Sequence, residues 1–316
     1  MGWIQPAENS IESLCEAMKR FDGIEFDLRL SADGELILHH DPKTVDGRFV
    51  ESTNSADLDF PTFSQLLEVD SFVELWANCA RFGCIEIKPP HPKSVRSKDH
   101  HTHMVKAMKS IDGLLNQYEI PVENSVYFAF HKGLHKVVKQ SQTRRGFGEL
   151  RPWVPQWGSS RIKRMRAFPW FFTHSFAAMI KGHHRDGASL LPCSLDYLSG
   201  WQSWIPLGRR VGLNGKPLQR LNRIRNGYPT FAWPVPLELE TAVISAGMSA
   251  LTDFANPNIT RVERPATCHD GVDWIDLNNS EKSEILRRWN LPSSTHLPLA
   301  TPRLIGHRGC GITHST

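Results

Sequence analysis

Cysteine is scarce in this chain, and long apolar runs are missing from it. The six cysteines among the 316 residues fit no zinc or redox spacing, so we expect reduced, packed thiols and a cytoplasmic protein. No stretch reaches the roughly 18 apolar residues of a membrane-spanning helix, and we expect no leader segment before Glu8. These absences argue against a transmembrane protein and against a disulfide-stapled scaffold. The cysteines are Cys15, Cys79, Cys84, Cys193, Cys268 and Cys310.

Acidic residues are rare in residues 144–226, which we call the basic aromatic segment. It holds 15 Lys and Arg against three acids, a net charge of +12, whereas the remainder carries 22 bases and 30 acids, a net charge of −8. Five of the ten tryptophans lie in it. Such a surface attracts phosphates, anionic lipid headgroups or nucleic acid, and the alternative is a solvated face with buried aromatics. Residues 168–180 are a candidate peripheral membrane contact. We expect no nucleic-acid partner, because no nucleic-acid-binding motif is present.

Strands and helices alternate along the chain with short connections, which indicates a parallel sheet covered by helices. Eight parallel strands at this length predict a single (β/α)8 barrel spanning 1–316, with the basic aromatic segment inside it and a connector at 258–302. A returning hairpin strand is expected at 35–39, after the first parallel strand. The parallel strands are predicted at 24–30, 83–88, 125–130, 149–154, 188–193, 230–235, 250–253 and 303–305, and the helices at 10–20, 63–67, 102–117, 134–141, 237–246 and 280–288.

Three carboxylates fall on two of the predicted strands. Glu25 and Asp27 are two residues apart, so both side chains lie on one face of their strand, near its carboxyl end. Glu86 has a similar apolar setting on the next parallel strand, with Lys88 two residues later. Three oxygen ligands at the catalytic end of a barrel suit Mg²⁺ or Ca²⁺. The alternative is an ion pair of Lys88 with Glu25 or Asp27.

Two histidines are candidates for proton transfer. His40 follows the returning strand, and His307 stands in Gly306-His307-Arg308-Gly309 behind the last predicted strand. The flanking glycines are expected to let the backbone approach a ligand closely. Arg308 offers a planar fork for phosphate oxygens, and two histidines share acid and base roles in phosphodiester cleavage.

These motifs together resemble the glycerophosphodiester phosphodiesterase family. The resemblance covers nearly the whole chain and follows the family's motifs in cyclic order. It implies Glu25, Asp27 and Glu86 as ligands of one divalent cation, Mg²⁺ or Ca²⁺, and His307 and His40 as the acid–base pair. It also implies Arg308, Lys88 and Trp233 as substrate contacts. The matching stretches are Glu8-Asn9-Ser10, Glu25-x-Asp27, His40-Asp41, Glu86-x-Lys88, 231–235, 251–257 and His307-Arg308-Gly309.

The order of the motifs departs from the family, because its opening strand stands at the end of this chain. First and last strands are neighbours in a closed barrel, so we predict a circular permutation, with Met1 and Thr316 on the catalytic face. The rival is a gene fragment in which His307 begins a second, truncated copy. Milder departures are Ala7 and Pro234, where the family has proline and threonine.

The predicted function is metal-dependent hydrolysis of a glycerophosphodiester or a related lipid headgroup diester. A lysophospholipid substrate, met by a protein peripheral to the membrane, is a variant of the same prediction. The alternative from another class is a catalytically silent barrel that binds anionic lipid or phosphate.

Overall fold

The structure is a computed structural model that describes residues 2–77, 81–155, 157–205, 210–261, 264–266, 274–291 and 297–313. The predictions for Met1, Thr316, Cys79 and Cys268 lie outside these residues. Cys15, Cys84, Cys193 and Cys310 are free thiols, as expected.

Nine strands form one sheet in the described part of the chain. Eight of them run parallel in the order β5-β4-β3-β1-β9-β8-β7-β6, and β2 pairs antiparallel with β1. The strands are β1 (Gly23–Leu30), β2 (Leu36–Leu38), β3 (Phe82–Ile87), β4 (Ser125–Ala129), β5 (Gly146–Glu149), β6 (Leu191–Ser194), β7 (Thr230–Trp233), β8 (Ser249–Thr252) and β9 (Leu304–Gly306).

The sheet closes on itself between β5 and β6. The amide of Ser189 donates to the carbonyl of Phe147 at 2.9 Å, and the amide of Ser194 donates to the carbonyl of Arg151 at 2.7 Å. The predicted (β/α)8 barrel is therefore confirmed.

The last strand completes the barrel beside the first. β9 pairs parallel with β1, with Gly23 opposite Ile305 and Ile24 opposite Gly306, and its other edge pairs with β8. Asp22 fixes this register, because its carboxylate accepts from the amide of Leu304 at 2.7 Å and from Arg264 at 2.7 Å. The tail of the chain is therefore an integral part of the sheet.

Helices surround the barrel. In the first, Ser10 accepts from the amide of Ser13 at 3.1 Å, so the predicted N-cap is present. The ten α-helices of the described residues are α1 (Ile11–Arg20), α2 (Phe63–Leu67), α3 (Asp70–Ala77), α4 (His100–Gln117), α5 (Leu134–Ser141), α6 (Ser160–Thr173), α7 (Phe176–Arg185), α8 (Gly215–Arg225), α9 (Leu237–Ser245) and α10 (Asn279–Arg288).

The prediction was wrong in the basic aromatic segment. The fourth parallel strand is β5, at Gly146–Glu149, whereas we predicted 149–154, and helices α6, α7 and α8 were not predicted. β5 contains two glycines in four residues and lacks an apolar run, and α6 has apolar and basic residues on all sides. Neither element carries the periodicity that sequence reasoning uses.

The core has two layers that position the site. Ile24, Phe26 and Leu28 of β1 belong to the outer layer between sheet and helices, where each contributes about 1.5–3 kcal/mol by burial. Cys84 of β3 and Ile305 of β9 belong to a second cluster on the other side of the sheet, inside the barrel. Because side chains alternate along a strand, Glu25 and Asp27 point inward. No helix of the described residues is long and apolar enough to span a membrane.

Candidate active site

The three predicted carboxylates meet inside the barrel. Glu25, Asp27 and Glu86, which we call the acidic cluster, are all buried. Each offers an oxygen atom, and these atoms lie within 4.8 Å of one another. Asp27 stands opposite Glu86 in the β1–β3 register, which brings the two strands' carboxylates together.

Lys88 lies against the acidic cluster. Its Nζ is 2.9 Å from Oδ1 of Asp27 and donates to Oε1 of Glu86 at 2.6 Å. The alternative from the sequence, an ion pair of Lys88 with Asp27, is therefore present. One lysine stands against three buried carboxylates, so the pair does not use up the negative charge of the cluster.

Asn9 holds Asp27 from the loop before α1. Its side-chain amide donates to Oδ2 of Asp27 at 2.9 Å and its side-chain oxygen accepts from the amide of Asp27 at 3.0 Å. The backbone amide of Asn9 donates to the carbonyl of Arg308 at 3.1 Å. Asn9 thus joins the head of the chain, the acidic cluster and the tail.

His307 is placed directly beside the acidic cluster by β9. Its Nδ1 donates to Oδ1 of Asp253 at 2.8 Å, and its Nε2 lies 3.7 Å from Oε2 of Glu25. Asp253 also accepts from the amide of Ile312 at 3.1 Å. A carboxylate that binds one ring nitrogen fixes the orientation of the imidazole and leaves the other nitrogen for chemistry.

Arg308 also contacts the cluster. Its backbone amide donates to Oε2 of Glu25 at 2.9 Å. Its guanidinium donates to Glu8 at 3.1 Å and lies 3.5 Å from Oδ2 of Asp27. These contacts hold the guanidinium of Arg308 beside the carboxylates, where it also lines the central cavity.

The glycines around His307 do not act as expected from the sequence. A Cβ atom on Gly306 would lie 2.3 Å from the carbonyl oxygen of Gly309 and 2.6 Å from the ring of Phe21. Gly309 has a φ of +83°, and a Cβ there would lie 2.5 Å from Oγ of Ser13. Both glycines let the tail pack against α1 and the residue that follows it, rather than letting a ligand approach.

His40 is positioned by a second set of polar contacts. Its Nδ1 donates to Oδ1 of Asp41 at 2.9 Å. Its carbonyl accepts two hydrogen bonds from the buried guanidinium of Arg29, at 3.1 and 2.7 Å, and Arg29 in turn donates to Glu51 at 2.6 Å. His40 and His307 therefore share one arrangement, an imidazole whose Nδ1 binds an aspartate.

Burial and mutual repulsion separate the pKa values of the carboxylates. Burial, followed by the charge of Asp27, raises the pKa of Glu25 to about 8. Burial acts in the same direction on Asp27, but Lys88, His40 and Arg308 lower the pKa of Asp27 well below its usual range. Like-charged groups that are forced together behave this way, because one carboxyl group holds its proton more tightly while its neighbour stays ionised.

The two histidines have opposite pKa shifts. Burial lowers the pKa of His40 to about 3, and the charge of Lys88 acts in the same direction. Burial opposes protonation of His307 as well, but the hydrogen bond to Asp253 and the charge of Glu25 raise the pKa of His307 above its ordinary value. The two imidazoles therefore lie in electrostatically different surroundings.

A central cavity of about 630 Å³ opens above these groups. Glu25, Glu86, Lys88 and the two histidines line it, and the predicted contact Trp233 lines it as well. The ring of Trp233 packs edge-on against Phe130 at a centroid distance of 5.5 Å. Asp27 is fully buried beneath, behind Lys88 and Arg308.

Sequence reasoning missed several residues of this site. Asp253 was noticed only as part of a motif, and its contact with His307 spans 54 residues along the chain. Lys163 on α6 lines the same cavity, and burial lowers its pKa. In the sequence, Arg29 resembles any charged residue of a hairpin strand. Only the structure shows that it is buried and holds the backbone carbonyl of His40.

Comparisons with known proteins agree with this geometry. A sequence profile of the Glycerophosphoryl diester phosphodiesterase family matches residues 4–167, just over half of the chain. A solved glycerophosphodiester phosphodiesterase from Parabacteroides distasonis is 18% identical with a TM-score of 0.50, over 78% of this chain and 86% of that one. A phosphodiesterase from Oleispira antarctica, solved with its product sn-glycerol-3-phosphate, is 15% identical with a TM-score of 0.52, over 78% and 88% of the two chains. No curated protein matches this sequence.

Fold and site together define a barrel enzyme with an acidic centre, flanked by two histidines, at the carboxyl ends of its strands. At the identities above, the solved structures support the fold alone, whereas the profile covers the whole acidic cluster and His40. The chain belongs to the glycerophosphoryl diester phosphodiesterase family and is a phosphoric diester hydrolase.

Proposed function

We propose that this protein hydrolyses glycerophosphodiesters, or related diesters of lipid headgroups, to an alcohol and a glycerol phosphate with the help of one divalent cation. The observation that carries the proposal is the meeting of His307 and Arg308 from the tail with the acidic cluster from the head, beneath one cavity. The Oleispira antarctica enzyme was solved with sn-glycerol-3-phosphate, and we assign a product of this class here.

The acidic cluster would hold the cation. Its three carboxylate oxygens lie close enough to share one ion, and a donor set of oxygens alone suits Mg²⁺ or Ca²⁺. Burial, followed by the charge of Asp27, raises the pKa of Glu25. The three carboxylates also outnumber the two cations, Lys88 and Arg308, that contact them. When bound, the cation would polarise the phosphoryl oxygens of the substrate.

His307 and His40 would carry the protons. Asp253 and Asp41 each accept from Nδ1, so Nε2 is the nitrogen free to exchange a proton with the substrate. One imidazole takes the proton of the attacking oxygen, and the other gives a proton to the departing alkoxide.

Three further residues would bind the substrate. Arg308 and Lys88 place positive charge beside the phosphate position, where it stabilises the extra negative charge of the transition state. Trp233 offers an apolar face for the remainder of the molecule. All three line the central cavity.

We also propose that residues 1–316 form one circularly permuted domain, with the basic aromatic segment as part of its wall and 258–302 as a connector to β9. Support comes from the pairing of β9 with both β1 and β8, and from Gly306 and Gly309, which are shaped to pack against Phe21 and Ser13. If His307 began a second, truncated copy, close packing of β9 and Gly309 against β1 and α1 would not be expected.

The test is hydrolysis of glycerophosphoethanolamine, followed by release of glycerol phosphate. We expect activity with Mg²⁺ or Ca²⁺, loss on chelation, and a loss of roughly a thousandfold or more for His307→Ala. His101→Ala is the matched control, because His101 is half-buried on α4, away from the central cavity, and bonds only to Gln140 in the described structure. An unchanged rate for His307→Ala would reject the permuted site, and a folded but inactive wild type would favour the silent phosphate-binding barrel.

The basic aromatic segment favours a second property, peripheral contact with membranes from the cytoplasm. The exposed part differs from the predicted 168–180: Phe168 and Phe172 are 39% and 60% exposed, but Phe176 and Ile180 are buried. Met165 of α6 is 63% exposed. An exposed apolar surface among arginines suits an anionic lipid surface.

A further inference from the structure

Helix α6 brings two further cations to the central cavity. Lys163 and Arg164 stand near the start of α6, and both side chains line the cavity. Lys163 is half-buried, whereas Arg164 is exposed. The α6 side of the cavity is therefore both positively charged and apolar, because the helix also lines it with Ala167, Phe168 and Phe171.

Within the described residues, no carboxylate lies at ion-pair distance from either of these α6 cations. Lys88 and Arg308, by contrast, each contact the acidic cluster. In the part of the chain that the structure describes, the ammonium of Lys163 forms no ion pair, and the guanidinium of Arg164 donates only to the backbone carbonyl of Ser160, at 3.4 Å. The two side chains can therefore bind an anion without breaking a contact with an acid.

Two acids outside the acidic cluster also line the cavity, and both are already hydrogen-bonded. Asp41 accepts from Nδ1 of His40 at 2.9 Å, and Asp196 accepts from Oγ of Ser194 at 3.1 Å. These contacts leave the cations of α6 as the groups on this side of the cavity that lack an opposite charge.

The surroundings of Lys163 favour an added negative charge. Burial lowers the pKa of Lys163, the charge of Asp41 opposes this shift, and the charges of Lys88, Arg29 and Arg308 act with burial. The ammonium therefore lies within the electric field of the cations on the catalytic side of the cavity. A bound anion would relieve the repulsion among these like charges.

The phosphate that is cleaved does not account for the α6 cations. A diester with a neutral headgroup carries one negative charge, and the proposed function places that charge at Arg308, Lys88 and the divalent cation. A half-buried ammonium without an anionic partner loses hydration and gains nothing in return. A second negative group on the substrate would offset this loss.

We propose that Lys163 and Arg164 bind a second phosphate group of the substrate, carried by the alcohol that is joined to glycerol phosphate. This inference rests on the proposed function and names its substrate class, a diester with an anionic headgroup. The planar guanidinium and the ammonium both donate to phosphate oxygens, so the two residues determine specificity without taking part in the cleavage.

The first test compares three glycerophosphodiesters whose butyl headgroup ends in a phosphate, a hydroxyl or an ammonium group. We expect kcat/KM to be about tenfold or more higher for the phosphate-ended diester than for the hydroxyl-ended one, because charge-assisted hydrogen bonds are gained, and lowest for the ammonium-ended one. The hydroxyl-ended diester measures the proposed function alone. If it is hydrolysed and the phosphate-ended diester is no better a substrate, the second phosphate site is overturned and the proposed function stands.

Variants assign the preference to α6. We expect the phosphate-to-hydroxyl ratio of kcat/KM to fall about threefold to tenfold in Lys163→Gln and further in the double variant Lys163→Gln, Arg164→Gln, whereas Lys163→Arg should keep most of it. Arg161→Gln is the matched control, because Arg161 is exposed on α6 and does not line the cavity. An unchanged ratio in the double variant, or an equal fall in Arg161→Gln, would overturn the assignment. Thermal melting checks that each variant is folded.

A binding measurement covers the case in which no diester is hydrolysed. Butyl phosphate and butane-1,4-diol bisphosphate differ by one phosphate group, and calorimetry compares their binding to the wild type and to the double variant. Binding of the bisphosphate about tenfold tighter in the wild type, with loss of this advantage in the double variant, supports the site even if the proposed function fails. Equal affinities in the wild type, or an advantage that the double variant keeps, overturn it.

Discussion

The acidic cluster and helix α6 of the basic aromatic segment line the same cavity, but different forces hold them. The cluster is fixed by directional contacts, such as 2.9 Å from Asn9 to Asp27 and 2.6 Å from Lys88 to Glu86. In the segment, α6 is held mainly by ring contacts and by stacked cations, such as Arg166 over Trp157 at 5.6 Å.

The difference explains why the sequence predicts the acidic cluster but does not predict α6. Directional contacts to a charged centre require particular residue types at particular spacings, so they leave motifs. Dispersion and ring contacts accept many side chains of similar size, so α6 keeps only a composition. The comparison predicts steep losses from conservative changes in the first region and shallow losses in the second.

The largest expected effect comes from Asp27→Asn. The change keeps the shape and the contact with Asn9 but removes a charge from the acidic cluster. We expect kcat/KM to fall roughly a thousandfold, corresponding to about 4 kcal/mol of transition-state stabilisation. Asp33→Asn is the control, because Asp33 is exposed on the same hairpin and bonds to Ser55. A loss below tenfold at saturating cation would mean that the cluster is structural.

Asp253→Asn tests the orientation of His307. Asparagine can present its amide nitrogen to Nδ1 and so favour the wrong tautomer. We expect kcat to fall about a hundredfold or more with KM little changed, because Asp253 lies behind the imidazole, away from the substrate. Asp253→Glu should recover part of the rate. A change confined to KM would contradict this role.

Gly309→Ala tests the fit of the tail to the head. Its Cβ would collide with Ser13, and its φ of +83° is strained for alanine, so we expect a loss of several kcal/mol in the free energy of unfolding. Gly187→Ala is the matched control, with a φ of +70° and open space around it, and should cost only about 1 kcal/mol. Chemical denaturation compares the two, and equal losses would show that the tail packs loosely.

Phe172→Ser tests the exposed surface of the segment. We expect partitioning into vesicles containing phosphatidylserine to fall about fivefold, since roughly 1 kcal/mol of apolar burial is lost. Val45→Ser, an exposed apolar residue outside the segment, controls for general hydrophobicity. Equal co-sedimentation of both variants and the wild type with the vesicles would contradict the proposed membrane contact.

The smallest expected effect is on the pH dependence of stability. It concerns two histidines, His103 and His131, that lie outside both the acidic cluster and the basic aromatic segment. Burial lowers the pKa of His103 and of His131 to about 4, whereas the unfolded value is about 6.5. Between these pH values the unfolded chain binds more protons, so stability falls as the pH falls from 6.5 to 4. Both the wild-type protein and the double variant His103→Gln, His131→Gln should melt at lower temperature as the pH falls over this interval. The decrease in melting temperature should be several degrees smaller in the double variant than in the wild type. Parallel curves of melting temperature against pH for the two proteins would contradict the lowered pKa values of the two histidines.

Sequence reasoning reached the acidic cluster and both histidines, because Glu25-x-Asp27 is a short motif on a predicted strand, and His40-Asp41 and His307-Arg308-Gly309 directly follow predicted strands. It did not reach Asp253 as the partner of His307, since that contact depends on where β8 and β9 end relative to each other. It assigned the glycines beside His307 to a ligand, while the collision with Ser13 depends on the position of α1.

By itself, the sequence determined the alternation of strands and helices, the family and the residue types of the centre, because these follow from periodicity and from the chemistry of charged groups. Tertiary structure decided that the tail strand inserts between β1 and β8, which residues hold His307 and His40, and that α6 lines the central cavity. The physical reason is distance along the chain. Contacts such as that between Arg308 and Glu25 join residues 283 positions apart, and only the closed sheet brings them together.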